Sequence, residues 1–325
     1  MIADFLDALP KEALESSKNM DLHIRSVNAH QAIDTLLSKS VLRGGKRLRP
    51  LLTFLVAHLF NVDFEKTMPY ARASELVHAA SLSHDDVIDN ATMRRGTPSI
   101  NILSSNKKAV LAGDYLLSSV IVDLSNAGNL ELVREMSLVI KDLSEGEWLQ
   151  LDLISERNYT RELIREVAEK KTSSVMSYCS VAPAILGGET KEAVDLCREF
   201  GRRLGLAFQL IDDTLDYSGD SQKDQELDVK NGIVNSVVFE MLQAHPIIFM
   251  RFKDGENLQD IIEGISLVEY VEIINQEAHS HLEDAKKILE KLQVYLKPKF
   301  ENAEELASRI RALELIISYM ALRQH

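Results

Sequence analysis

Residues 76–89 read Leu76-Val77-His78-Ala79-Ala80-Ser81-Leu82-Ser83-His84-Asp85-Asp86-Val87-Ile88-Asp89, a small and apolar run that ends in three aspartates. On a helix, positions four apart share a face, so Asp85 pairs with Asp89. The residues before them have the composition of a largely buried helix. A carboxylate cluster at the end of such a helix must be paired or bound to a cation, because an isolated buried charge is strongly unfavourable. The arrangement returns at Leu204-Gly205-Leu206-Ala207-Phe208-Gln209-Leu210-Ile211-Asp212-Asp213-Thr214-Leu215-Asp216, where Asp212 pairs with Asp216. A single DDxxD is a weak signal in an acidic chain, and solvated acidic faces are the usual fate of such residues. Two in matched apolar settings read as metal-binding. Mg²⁺ is the hard cation that takes few carboxylates, keeps several waters and accepts phosphate oxygens for the rest.

Outward from these motifs the whole chain carries helical periodicity. Seven prolines and 14 glycines punctuate sequence rich in Leu, Ala, Glu and Lys, and no alternating β-rich segment stands out. The pattern predicts helices over 20–41, 47–61, 67–92, 105–126, 129–156, 160–187, 190–218, 233–243, 258–263, 266–294 and 301–323. The segment from Pro246 to Gln259 has no usable pattern. No linker or repeat divides the 325 residues, so one all-α domain over 1–325 is the expected organisation. With 45% apolar residues the chain can bury a continuous core.

Acidic residues outnumber basic ones by 50 to 37, a net charge of −13, and no basic stripe is present for nucleic acid. Two cysteines, Cys179 and Cys197, are too few for a disulfide framework and read as small core residues in a reducing compartment. The N-terminus shows no basic region followed by an apolar run. The longest apolar stretch, Leu51 to Phe60, falls short of the roughly 20 residues that span a bilayer. The expectation is a soluble, cytoplasmic protein without a transmembrane segment.

Basic groups accompany the acids: Gly44-Gly45-Lys46-Arg47-Leu48-Arg49-Pro50 at a helix start, Arg94-Arg95-Gly96 just after the first motif, Lys170-Lys171-Thr172, and Lys223. Each alone reads as a solvated surface cation. Together with two acid sets they describe sites for two diphosphates, since arginine forks grip phosphate oxygens and lysine supplies compact charge. His279-Ser280-His281 reads as a solvated surface feature, because positions two apart do not face each other on a helix. His84 reads as a packed or hydrogen-bonded histidine.

The segments GGKRLRP, HAASLSHDDVIDNATMRRGTPS, AGDYLL, EGEWLQ, KKTS and GLAFQLIDDTLDYSGD occur in the order and spacing of the trans-prenyl (polyprenyl) diphosphate synthase family, which this chain resembles from about residue 40 to 232. The resemblance implies one large helical bundle of the isoprenoid synthase type with a central active-site cavity, and a homodimer. It implies condensation of isopentenyl diphosphate with an allylic prenyl diphosphate, assisted by three Mg²⁺ ions. Lys46, Arg49 and His78, with Arg95 assisting, match the isopentenyl diphosphate anchors. Asp85, Asp86, Asp89, Asp212, Asp213 and Asp216 match the ligands that hold Mg²⁺ on the allylic diphosphate. Arg94, Lys171 and Lys223 match cations that meet that diphosphate. Thr172 and Gln209 match residues beside the developing allylic cation. Gly146, Glu147 and Gln150 match a helix-packing and polar-wall motif.

After Lys223, Asp228 and Gly232 the family pattern K-x-T-L-P is replaced by Ile233-Val234-Asn235-Ser236-Val237, which puts a phosphate contact there in doubt. Short-chain members of the family close the product path with an aromatic residue four or five positions before the first motif. Here those positions are Ser81 and Ala80, with Val77 and Ser74 on successive turns. Small residues there predict a medium- to long-chain product; the alternative is that they serve close helix packing in a short-chain enzyme. A terpene cyclase would not need Lys46, Arg49 and His78. A subunit of a heteromeric synthase would have lost one aspartate set.

Overall fold

The computed structural model describes residues 8–24, 31–217 and 232–322. The described residues fall into two units: 8–24 and 31–140 with Tyr178–Val194, and Lys141–Ser177 with the residues from Asp195 onward. Helices are α1 Lys11–Lys18, α2 Gln31–Lys39, α3 Leu48–Leu59, α4 Phe64–Ile88, α5 Ile100–Leu103, α6 Asn106–Ala127, α7 Leu130–Glu156 and α8 Arg161–Ala168. They continue as α9 Ser174–Leu186, α10 Lys191–Leu215, α11 Ser236–Ala244, α12 Pro246–Lys253, α13 Leu258–Ile262, α14 Val268–Leu296 and α15 Ala303–Leu322. Among the described residues, no helix is long and apolar enough to cross a membrane.

In the first unit α3 is buried along most of its length, from Pro50 to Ala57 and at Leu59, as an apolar helix must be. Asp63 starts α4 by accepting the amides of Glu65 and Lys66 at 2.7 and 3.2 Å. The helix packs on α6 through small residues, Ala109, Ala112 and Gly113, all buried. Ser83 Oγ donates to the Ala109 carbonyl at 2.8 Å, and a Cβ on Gly113 would lie 2.2 Å from His84 Nε2. His84 is therefore the packed histidine expected. Arg47, itself in the left-handed region at φ 48°, begins α3. Its Nη1 donates to the carbonyls of Lys18 and Met20 at 3.1 and 2.6 Å, which ties down the end of α1.

In the second unit a five-residue π turn, Glu169–Ser173, separates α8 from α9. It is packed against two glycines of other helices. A Cβ on Gly146 of α7 would sit 2.8 Å from Lys170 Cβ, and one on Gly205 of α10 would sit 2.4 Å from Ser173 Cα. Arg157 Nη1 donates to the carbonyls of Phe252 and Glu256 at 2.6 Å each, with its guanidinium 4.9 Å from the Phe252 ring centroid. Tyr159 donates to the Gly232 carbonyl at 3.1 Å, and burial pushes its phenol up to about 12.

Several expected boundaries move. The helix expected over 20–41 is α2 alone among its described residues, since 20–24 are not helical, and α1 at 11–18 was not anticipated. The helix expected to reach 92 stops at Ile88, because Asn90 turns left-handed at φ 52°. A short antiparallel ribbon follows, Met93–Arg94 (β1) paired with Thr97–Pro98 (β2). Its two-residue loop, Arg95 at φ 49° and Gly96 at φ 73°, has the positive angles of a tight hairpin turn. Helix 160–187 contains the π turn, and the unpatterned 246–259 segment holds α12, begun by Pro246, where a missing N–H costs nothing. Cys179 and Cys197 are buried, as expected.

Candidate active site

Around the first motif, the chain gathers cations. Arg43, Gly44, Gly45, Asp86, Arg94, Arg95 and residues 97–100 line a cavity of about 270 Å³. Gly44 and Gly45 take φ 74° and 89°, angles that disfavour side chains. A Cβ on Gly45 would also crowd the Arg95 guanidinium at 3.1 Å, and Arg95 Nη1 donates to the Arg43 carbonyl at 3.2 Å. The glycine pair thus makes room for an arginine from the hairpin. Lys46 is exposed and Arg49 half-buried at the start of α3.

His78 lies on α4 two turns before the aspartates. Burial, then the cations Arg49, Arg95 and Arg94, push its imidazole well below the usual histidine range, so it is neutral at physiological pH. One turn earlier Glu75 is buried. Desolvation raises its pKa while Arg49, Arg47 and Arg95 pull it down. An acid behind the arginines and a neutral imidazole among them leave a cationic surface suited to a diphosphate.

Each motif separates its three expected ligands. Asp85 and Asp89, and likewise Asp212 and Asp216, keep half-exposed side chains one helical turn apart. Asp86 exposes no surface; its Oδ1 accepts from Arg94 Nε and Nη2, each at 2.6 Å, and its Oδ2 accepts from the Ile100 amide at 3.2 Å. Asp213 is buried too, accepting from Gln209 Nε2 at 2.9 Å and from the Ser236 amide at 3.1 Å. Burial raises its pKa, against the pull of those donors. Among the described residues no three acidic, imidazole or thiol side chains converge as a metal cage. A pair of carboxylates with oxygen donors only still fits Mg²⁺, which leaves most of its positions to water and phosphate.

In the second unit the π turn presents Lys171 and Thr172. Lys171 Nζ bonds Glu147 Oε2 and, at 3.1 Å, Gln150 Oε1, both on α7. Lys170 is held by Glu145 at 2.8 Å, and that hydrogen bond is the main cause of its raised pKa. Thr172 Oγ1 donates to Gln209 Oε1 at 2.7 Å. A π turn turns successive side chains by less than an α-helical step, which puts Lys170 and Lys171 on different acids of one facing helix. The bracing of Lys171 by Glu147 and Gln150 had a sequence signal in EGEWLQ, which places both acceptors on one face of α7. Lys223 and Asp228 lie outside the described residues. In place of the K-x-T-L-P segment, Asn235 caps α11 by accepting the Val238 amide at 3.1 Å.

Val77 and Ala80 expose no surface where α4 packs against neighbouring helices, and of the three chain-length residues Ser81 alone is half-exposed. One expectation changes, that for His281. His281 is buried rather than solvated: Arg203 Nη1 lies 3.1 Å from its Nδ1, and burial with the nearby arginines pushes it down to about 4. His279 is exposed, 2.9 Å from the Asn275 carbonyl.

The helical architecture with its aspartate-terminated helices is that of the isoprenoid synthases. The family model for polyprenyl synthetase matches residues 30–292, and the chain belongs to that family; it is a prenyltransferase. It is 34% identical over 293 residues to the mitochondrial solanesyl-diphosphate synthase 1 of Oryza sativa subsp. japonica, covering 83% of this chain and 67% of that protein. Among solved structures it resembles a decaprenyl diphosphate synthase from Rhodobacter capsulatus, with a TM-score of 0.80, 25% identity and coverage of 100% and 97% of the two chains. A polyprenyl synthase from Caulobacter crescentus, complexed with calcium and isoprenyl diphosphate, matches with a TM-score of 0.79 and 25% identity over 99% and 98%.

Proposed function

We propose that the chain is a medium- to long-chain trans-polyprenyl diphosphate synthase, one domain over 1–325, which condenses isopentenyl diphosphate with an allylic prenyl diphosphate. The observation that carries this reading is the arginine-lined cavity beside the first motif, with neutral His78 among its cations. Lys46, Arg49, His78 and Arg95 are assigned to isopentenyl diphosphate. Arg94, Lys171 and Lys223 are assigned to the allylic diphosphate, Lys223 on resemblance alone.

Asp85, Asp89, Asp212 and Asp216 would hold Mg²⁺, three ions on the family resemblance, whose positive charge would offset that of the departing diphosphate. The chain's own side chains do the rest. His78 donates a hydrogen bond without adding a charge that would repel the surrounding arginines. Arg94, fixed by Asp86, and Lys171, fixed by Glu147 and Gln150, meet phosphate oxygens in preset positions, so little reorganisation accompanies ionisation. The oxygens of Thr172 and Gln209 offer dipoles to the allylic cation, which the double bond of isopentenyl diphosphate attacks. The proton then lost goes to the released diphosphate.

A long product accords with the solanesyl and decaprenyl names of the relatives and with the small, half-exposed Ser81. A homodimer accords with the exposed Val110, Leu111 and Val122 on α6, apolar side chains that a second copy would cover. The cytoplasm remains the proposed compartment, on the cysteine usage. The test is incubation of the purified chain with Mg²⁺, isopentenyl diphosphate and several allylic starters, followed by product-length analysis. Products beyond twenty carbons are expected, lost in EDTA and restored by Mg²⁺. Full turnover in EDTA, or no condensation with any starter, would overturn the reading.

A further inference from the structure

The π turn that presents Lys171 and Thr172 begins at Glu169 and closes where the Ser174 amide donates to the Glu169 carbonyl, five residues back. Such a turn holds one residue more than an α-helical turn, and it is rare because the α-helical register competes with it. Three contacts with α10 select it here. Thr172 bonds Gln209, Ser173 lies against Gly205 with no room for a Cβ, and the Glu169 carboxylate receives Arg202 Nη2 at 2.8 Å. Gln209, Gly205 and Arg202 follow at helical spacing, so one face of α10 carries all three. Arg165 Nε of α8, one turn before Glu169, reaches the same carboxylate oxygen at 3.2 Å. Arg202 is itself aligned by Glu199, which accepts from its Nη1 at 3.2 Å and from Arg203 Nε at 2.7 Å. Glu169, Arg165 and Arg202 have no part in the substrate contacts assigned above.

We infer that Glu169 is a positioning residue: pinned by Arg202 and Arg165, it holds the π turn in the register that aims Lys171 and Thr172 at the allylic substrate. The inference rests on the proposed function for the roles of Lys171 and Thr172, but not for the clamp itself. One arginine comes from the helix that enters the turn and the other from the helix beside it. Together they oppose both rotation of the turn about its axis and sliding along α10. Were the turn to relax to the α-helical register, the side chains after Glu169 would advance around the axis. Lys171 would then leave Glu147 and Gln150, and Thr172 would leave Gln209. The Glu169 and Arg202 side chains are 34% and 30% exposed, so solvent screens the pair and it adds little to global stability. Its leverage is geometric, because a misplacement on the order of 1 Å at a reacting site can lower a rate about a hundredfold.

Glu169→Ala, Arg202→Ala and the double variant are compared with wild type as full chains. With Mg²⁺, isopentenyl diphosphate and an allylic diphosphate, each single variant should lower kcat about tenfold and raise KM for the allylic substrate about threefold. KM for isopentenyl diphosphate should stay within about twofold, and urea midpoints should barely move. The double variant should be little worse than either single one, since both remove the same contact. Glu169→Gln, which keeps an acceptor oxygen and loses the charge, should fall between wild type and Glu169→Ala. A second arm needs no activity: hydrogen exchange at the Ser174 amide should be about tenfold faster in each variant, while amides in the middle of α14 keep their rate. Unchanged kcat, multiplicative losses in the double variant, or equal rises in both KM values together with a lower urea midpoint would overturn the positioning role. Should Arg202→Ala fail to fold, the two Glu169 variants decide. If the wild-type chain condenses no substrate, the proposed function fails, and unchanged exchange at Ser174 would still overturn the clamp.

Discussion

Thr172 Oγ1 donates a 2.7 Å hydrogen bond to Gln209 Oε1, and the nitrogen of the same amide donates to Asp213 Oδ1 at 2.9 Å. With both ends engaged, Gln209 has one orientation open to it. Thr172→Val keeps the shape and removes the donor, so kcat should fall about tenfold with the fold intact, as expected for the loss of one aligned polar contact. Thr172→Ser should retain most activity. Steady-state kinetics on both variants decides; equal kcat for wild type and the valine variant would show the contact to be idle.

Product length should respond at one of the two positions first singled out. Ser81 is half-exposed, so Ser81→Phe should shorten the product without a large change in stability. Ala80 exposes nothing, so Ala80→Phe should overpack α4 and cost about 3 kcal/mol before it can affect chain length. Chromatography of products beside urea unfolding of each variant checks both statements. A stable Ala80→Phe enzyme with a shorter product would place the tunnel wall at Ala80.

The close approach of α10 to the π turn gives a stability prediction. A methyl at Gly205 meets Ser173 Cα at 2.4 Å, and backbone there cannot step aside cheaply. Gly205→Ala should cost about 3 kcal/mol, toward the upper part of the range for overpacking. Gly113→Ala meets only the His84 ring, which can rotate away, and should cost about 1 kcal/mol. Denaturant midpoints that rank the two variants the other way would contradict the packing described.

His281 supplies a pH dependence. Its folded pKa, about 4, lies below the ordinary 6.5, through burial first and then Arg203, Arg165 and Arg202, opposed by Asp284. The unfolded chain therefore binds the proton more readily. Stability is fully present above pH 6.5 and is lost as pH falls from 6.5 toward 4, by roughly 2 kcal/mol from this residue. His281→Gln should flatten that part of the curve. Unfolding midpoints at pH 7, 6 and 5 for the two proteins, with equal slopes, would remove His281 from the account.

The helices and the pairing of Asp85 with Asp89, and of Asp212 with Asp216, were legible because they depend on residues three or four apart along one segment. The family's segments were legible for the same reason: each is a short local string. Misplaced boundaries have equally local causes that composition does not reveal, such as the left-handed turn at Asn90 that ends α4 and the π turn at Glu169–Ser173 inside an otherwise helical pattern. Lys223 and its neighbours gain nothing from the structure, since they lie outside the described residues.

What the sequence by itself determined is thus an all-helical prenyltransferase with two carboxylate ladders and a set of cations. Tertiary structure alone decided which carboxylates turn inward, that Lys171 is braced by Glu147 and Gln150, that burial and nearby arginines push the His78 imidazole down, that His281 is buried, and that Val77 and Ala80 expose no surface. These are properties of burial and of partners brought from elsewhere in the chain, Thr172 to Gln209 or Asp213 to Ser236. A side chain's charge state and its free surface depend on what packs over it, and the local pattern carries no record of that.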